Sequence, residues 1–196
     1  MLTLLLGNAY SQQKETQLTV SGGYVSFGSG DFLGYYLGIG ASRQVNKKPS
    51  AGLNKLLLGG ELIFENGTKN PVVYNPTVSE FLQTFHHVST SMLWVKASYY
   101  PLNKILRGLN IQLGPTIGYS YRSSEGWVAS RPNVPVGVVR ESRLSYDNGV
   151  IYGYRISAAL DFRLTNKLFT GLRMDFSNTQ KGEINNSLGA KIGFVL

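Results

Sequence analysis

Three groups of residues in this chain have types and spacings that can do chemistry. The only histidines are His86 and His87, and Ser89 completes a His-x-Ser pair with the second. An imidazole two residues from a hydroxyl on one strand face can draw off its proton, which is the opening move of acyl transfer. That chemistry also needs a carboxylate to orient the ring, and the nearest in sequence, Glu80, falls in a loop-like stretch. The other reading of His87 and Ser89 is a polar strand end. The second group is charged: Glu61, Glu65, Lys96, Arg122, Arg155, Asp161, Arg163, Arg173, Asp175 and Lys191. Gathered in the narrow interior of an eight-stranded barrel, they are expected to pair into a plug of ion pairs, the alternative being a selective pore. The third is Trp127 with Arg131, Arg140 and Arg143, whose guanidinium groups suit phosphate or carboxylate oxygens. No cysteine is present, so no thiolate metal site forms, and Gly-x-Gly at 28–30 is followed by no helix and cradles no phosphate. The expectation is no metal and no cofactor.

The elements that must position these groups are read most clearly from Gly149 to Leu196. Val150, Tyr152, Tyr154, Ile156, Ala158, Leu160, Phe162 and Leu164 alternate with Gly153, Arg155, Ser157, Asp161 and Arg163. After a tight turn at Thr165-Asn166, Leu168, Leu172, Met174 and Phe176 alternate with Gly171, Arg173, Asp175 and Ser177. The closing stretch sets Leu188, Ala190, Ile192, Phe194 and Leu196 against Ser187, Gly189, Lys191 and Gly193. Strict period two means strands with one apolar and one polar face.

A soluble carrier barrel hides its apolar face, and a membrane barrel turns it to lipid. The polar face decides between them. It carries glycines and charges of both signs, which suit a crowded interior better than a solvated surface. Charged residues are only 15% of the 196-residue chain. The formal net charge of +8 arises from Lys and Arg in turns and on polar strand faces, not from a basic binding element, so no nucleic acid is expected. No apolar run reaches the ~18 residues of a membrane helix, so any crossing is by strands. Residues 1–11, MLTLLLGNAYS, read as a signal-peptide remnant with Ala9-Tyr10-Ser11 as its cleavage site, which leaves 12–196 as the barrel domain.

Taken in order, strands are predicted at 17–28, 32–43, 55–65, 85–100, 109–122 and 150–164, then the last two already described. The first half of 85–100 is more polar, as a stretch standing above a membrane would be. Pro115 requires a bulge or a locally unpaired position. Loops are expected at 44–54 and 66–83, and the longest at 123–146, which can equally be a strand hairpin extended by Val134, Val136 and Val138. The total is eight strands: an all-β, eight-stranded antiparallel up-and-down transmembrane β-barrel.

Over residues 16–196 the chain resembles the small porin-family, OmpA/OmpX-type outer-membrane barrels of Gram-negative bacteria. SYYPLNKILRGLNIQLGPTIGYSYR, YRISAALDFRLTNKLFTGLRMDFSN and the closing SLGAKIGFVL carry the resemblance. It implies an integral outer-membrane monomer that meets outer-membrane lipid and lipopolysaccharide. It also implies that the barrel assembly machinery reads the closing strand, with Gly189, Ile192 and Phe194 as the assembly signal. The expected role is structural or surface-binding and not enzymatic. Lipid A deacylases, which use an exterior His-x-Ser pair, are the runner-up, and a lipocalin-like soluble carrier is the third class.

Expressed with a full signal peptide, the protein is expected to fractionate with the outer membrane and to change gel mobility on boiling. Recovery as a detergent-free soluble monomer would sink the membrane reading.

Overall fold

The computed structural model describes residues 15–28, 32–45, 55–69, 72–75, 80–83, 85–101, 108–129, 140–180 and 184–196. The strands are β1 (Thr16–Phe27), β2 (Phe32–Gln44), β3 (Lys55–Lys69), β4 (Val72–Asn75), β5 (Glu80–Gln83), β6 (Phe85–Tyr100), β7 (Leu109–Ala129), β8 (Arg140–Arg163), β9 (Leu168–Thr179) and β10 (Ile184–Val195). Eight of them close an antiparallel barrel in the order β1-β10-β9-β8-β7-β6-β3-β2, while β4 and β5 form a separate hairpin. Closure is made by β1 against β10, from Gln17 opposite Val195 to Phe27 opposite Asn185. The fold is the up-and-down barrel expected from the alternation. The signal-peptide remnant at 1–11 lies outside the described residues.

The barrel strands put most of their apolar positions outside. Leu33, Tyr35, Leu37 and Ile39 of β2 and Val150, Tyr152, Tyr154 and Ile156 of β8 are all exposed. The residues between them, such as Ser42, Arg155 and Ser157, are buried. This is the inverse of a soluble barrel, so the carrier reading does not fit the fold. From Leu33 to Ala41 the apolar face of β2 runs about 27 Å along the strand, a height of about 20 Å once tilted, which accounts for most of the ~25 Å band of a membrane barrel. Exposed aromatics frame it: Tyr24, Tyr35, Tyr119, Tyr121, Tyr152 and Tyr154 toward one end, and Tyr99, Phe162 and Phe194 toward the other. They form the two girdles expected at the water interfaces.

The ends of the barrel differ. At the end that holds Thr16 and Val195, β8 turns into β9 within residues 164–167, where the Thr165 hydroxyl accepts hydrogen bonds from the Lys167 and Leu168 amides at 3.2 and 3.0 Å. Gly108 enters β7 with φ 89°, and a Cβ there would meet the Asp161 carbonyl oxygen, so only glycine fits. At the other, outer end, β7 and β8 reach 21 and 24 residues, about twice what a bilayer requires. Most of the expected loop 123–146 is therefore strand, with Trp127 opposite Ser142 and Glu125 opposite Leu144. The hairpin reading is the one found for 123–129 and 140–146, while Val134, Val136 and Val138 lie outside the described residues. The expected loop 66–83 likewise contains the end of β3 and the β4–β5 hairpin.

Pro115 pairs with Tyr154 on β8, but on the β6 side the ladder skips from Trp94–Thr116 to Ala97–Leu113. A residue without an N–H sits where the ladder is interrupted, as required of it.

Phe194 is exposed on β10 opposite Leu168 and Leu18. A charge near the membrane interface costs at most about 1 kcal/mol by itself. A several-fold fall in membrane-inserted yield for Phe194→Asp is expected, and it would mark the aromatic as a recognised signal. Normal yield would argue against that role.

Candidate functional site

The inward face of the barrel is where the charged residues meet. β3 supplies Glu61 and Glu65, β6 supplies Lys96, β8 supplies Arg155, and β9 supplies Arg173 and Asp175, all at 3% exposure or less. Period two alone aims each of them inward. Glu61 pairs with Lys96 at 2.5 Å and with Arg173, and its Oε1 accepts a hydrogen bond from the Ser21 hydroxyl at 3.0 Å. Arg173 Nε donates to Asp175 Oδ1 at 2.7 Å, and Arg155 Nη2 donates to Asp175 Oδ2 at 2.8 Å. Arg155 Nη1 reaches Glu65 Oε1 at 2.8 Å, and the Asn185 amide donates to Glu65 Oε2 at 3.1 Å. The Ser187 hydroxyl donates to Asp175 at 2.9 Å and accepts from Arg155 at 3.1 Å.

Three cations thus face three carboxylates in one continuous network, and its formal charge cancels. Cancellation matters because an unpaired buried ion costs several kcal/mol. Gly38 makes room for it: a Cβ there would collide with the Glu61 carboxylate and the Ser21 hydroxyl.

The alternation also brings in residues that a reading for charge passes over. Trp94, fully buried, lies at the centre of the cations, with Lys96, Arg173 and Arg155 at 5.0, 5.2 and 5.9 Å from its ring. These are cation–π distances. Apolar side chains pack around the outer half of the network: Val25, Phe27, Tyr36 and Val88 form one cluster, and Ile63, Met92 and Ile151 join Trp94 in another, with Ile63 between Glu61 and Glu65 on β3 and Tyr36 in register with Glu65. Parity could have found them, since Trp94 falls in step with Lys96, Ile63 with Glu61, and Tyr36 with Gly38.

Below the central network, Lys191 and Asp161 pair at 2.7 Å, and the Tyr100 hydroxyl donates to Asp161 at 2.9 Å. At the mouth, Glu15, which precedes β1, pairs with Lys55 and accepts the Gln17 amide at 2.7 Å. Burial pushes the Glu15 carboxyl up, but the Lys55 ammonium and the Gln17 amide outweigh it and hold it below its usual value.

Two of the expected lumen cations are not buried with the others. Arg163 is exposed at the last position of β8. A strand's final residue projects past the rim, so parity no longer aims it at a closed interior. Arg122 is half-buried on β7, in register with Val88 and Asp147 toward the outer end.

The His-x-Ser pair lies on the other face. His87 and Ser89 share the parity of exposed Leu93 and Val95, and the His87 ring tilts against Tyr121 at 6.4 Å between centroids. Glu80 lies on β5 opposite Asn75, outside the barrel sheet. Of the outer basic group, Arg140 and Arg143 fall on β8 opposite Ala129 and Gly126, and Trp127 falls on β7, while Arg131 lies outside the described residues. On β10, Ile192 and Phe194 face outward at 53% exposure each, and Gly189 packs inward beside the Gly22 carbonyl. No group of residues with metal-binding composition gathers among the described residues.

No protein-family model matches the chain, and no curated protein sequence does. Solved structures do. Ail, the attachment invasion locus protein of Yersinia pestis, solved in complex with the heparin analogue sucrose octasulfate, aligns with 94% of this chain and 100% of its own, at 9% identity and a TM-score of 0.47. Neisserial surface protein A aligns over 92% and 96%, at 12% identity and 0.46. A major outer membrane protein from Thermus thermophilus aligns over 93% and 100%, at 14% identity and 0.43.

Arg155→Ala strips Glu65 and Asp175 of a partner at once. It is expected to cost about 3–5 kcal/mol, read as a lower urea midpoint for unfolding from lipid vesicles. Arg163→Ala, at the exposed strand end, should stay within about 0.5 kcal/mol. Equal effects would deny the network its structural weight.

Proposed function

We propose that this protein is an integral outer-membrane barrel with a closed lumen, acting as a structural or surface-binding protein through the parts that stand above the membrane. The observation that carries this reading is the filled interior. A neutral ion-pair network spans the lumen, apolar clusters pack among and outward of its members, and an eight-stranded barrel has little room beyond its own side chains. Water and ions would have to pass both the ion pairs and the apolar side chains packed among them. With the interior committed to packing, the surface left for a partner is outside, chiefly the extended β7–β8 hairpin with Trp127, Arg140 and Arg143. Those guanidinium groups suit lipopolysaccharide phosphates or an anionic partner.

The outer-membrane location is supported by the apolar exterior, its two aromatic girdles and the short turn at 164–167 opposite the long hairpin. A closed barrel has no free sheet edge within the apolar belt, which favours a monomer. β10, with Gly189, Ile192 and Phe194, is the strand we assign to the assembly machinery.

His87 and Ser89 favour a polar patch at the outer interface over a catalytic one, because His87 lies against Tyr121 and Glu80 belongs to a separate hairpin. Release of acyl chains from lipid A by the purified protein, lost in Ser89→Ala, would reverse this assignment.

Planar-bilayer recording tests the closed lumen. Wild-type protein is expected to give no stable conductance. Arg173→Ala is expected to give none either, because the Arg155 ion pairs and the apolar clusters packed outward of Arg173 remain. A reproducible open level whose ion selectivity changes with Arg173→Ala would replace the plug with a channel.

A further inference from the structure

We propose that the outer wall of the barrel carries a seat for one membrane-lipid acyl chain, gripped at the carbonyl that links the chain to its headgroup. The proposal rests on the membrane reading above. A groove of about 480 Å³ crosses β1, β10, β9 and β8 on the outward face. Its walls include Tyr24, Leu33, Met174 and Leu188, each more than half exposed. On a membrane barrel such a wall meets hydrocarbon, so the occupant of the groove is a lipid chain and not a soluble ligand. Met174, unbranched and adaptable, can follow the contour of a flexible chain.

The groove is not apolar throughout. Ser26 and Asn186 line it and stand directly opposite each other across the β1–β10 pair. Neither side chain has a hydrogen-bond partner among the described residues. An amide and a hydroxyl without a protein partner beside an apolar groove need polar groups from the surroundings to satisfy them, and at the level of the aromatic girdle both water and lipid carbonyls are within reach.

Their depth suggests what does. Ser26 is one residue from the outer end of β1, and Asn186 is two residues inside the start of β10. That level is near the membrane surface, where ester or amide carbonyls join acyl chains to headgroups. A carbonyl there accepts from the Asn186 amide and the Ser26 hydroxyl, while the chain runs down the groove past Leu188 and Met174 toward the small Ala158.

The test uses the full chain, refolded and released from bilayer discs of mixed phosphatidylcholines into native mass spectrometry. The discs hold equal amounts of a diester lipid and its diether analogue, which has the same headgroup and chains but no carbonyl. Wild-type protein is expected to retain one lipid and to prefer the ester by about two- to tenfold, the worth of one hydrogen bond. Asn186→Leu should retain a lipid without preference. Ser26→Phe, which fills the floor, should retain neither, while Leu113→Phe on another part of the wall should behave as wild type. All four should first show heat-modifiable gel mobility, which establishes folding. No retained lipid, equal retention of ester and ether by wild type, or unchanged retention by Ser26→Phe would overturn the seat. Solubility without detergent would instead defeat the membrane reading beneath it.

Discussion

An eight-stranded barrel encloses a space only as wide as the side chains pointing into it. Any ion placed there loses most of its water and must find its counter-charge within reach. The arrangement of Glu61, Glu65, Lys96, Arg155, Arg173 and Asp175 follows from that constraint. Asp175 lies between the two guanidinium groups and Glu61 between Lys96 and Arg173, so no charge is left to face the lumen alone. Trp94 fills the space that the cations surround, and Gly38 leaves space where the Glu61 carboxylate needs it. Width, charge balance and packing are one problem here, met by residues drawn from strands all around the barrel.

The same closure governs the outside. Hydrocarbon offers no hydrogen-bond partner, so a strand can face it only when its backbone is satisfied by neighbours on both sides. The β1–β10 ladder meets this over eleven consecutive pairs, and the outward side chains are then free to be as apolar as the membrane allows. Pro115 sits at an interruption of the β6–β7 ladder while its pairing with β8 continues, so the wall stays closed at that point. Above the apolar belt the requirement lapses, because water can satisfy an edge. There β8 runs on beyond Gly153, the last residue it pairs with β9, up to Arg140. The Gln180 amide seals the step, donating to the Val150 carbonyl at 3.0 Å and accepting from the Tyr152 amide.

These two demands divide the molecule. The belt and its filled lumen are committed to stability in the membrane. The projecting β7–β8 hairpin is released from both constraints and carries its own aromatic and basic residues, so the binding role proposed for it would leave the packed interior undisturbed.

Period two was legible from the chain alone, and with it the eight barrel strands, the outward apolar face and the inward charges. Side-chain direction in a strand is a local property, so no tertiary information was needed for it. The same rule would have placed Trp94, Tyr36 and Ile63 inside, had parity been followed where the residue type suggested otherwise. Which charges pair was a different matter. Arg155 meets Glu65 from ninety positions away, and Arg173 meets Glu61 from 112. Only the register around a closed sheet brings such residues to one height. Strand ends were equally out of reach: Arg163 has the parity of a lumen residue but sits past the rim, and 123–129 with 140–146 continues as paired strand where turn-like composition suggested a loop. Alternation records which way a side chain points, whereas height along the barrel, and so membership in the network, is decided by how the strands are staggered when the sheet closes.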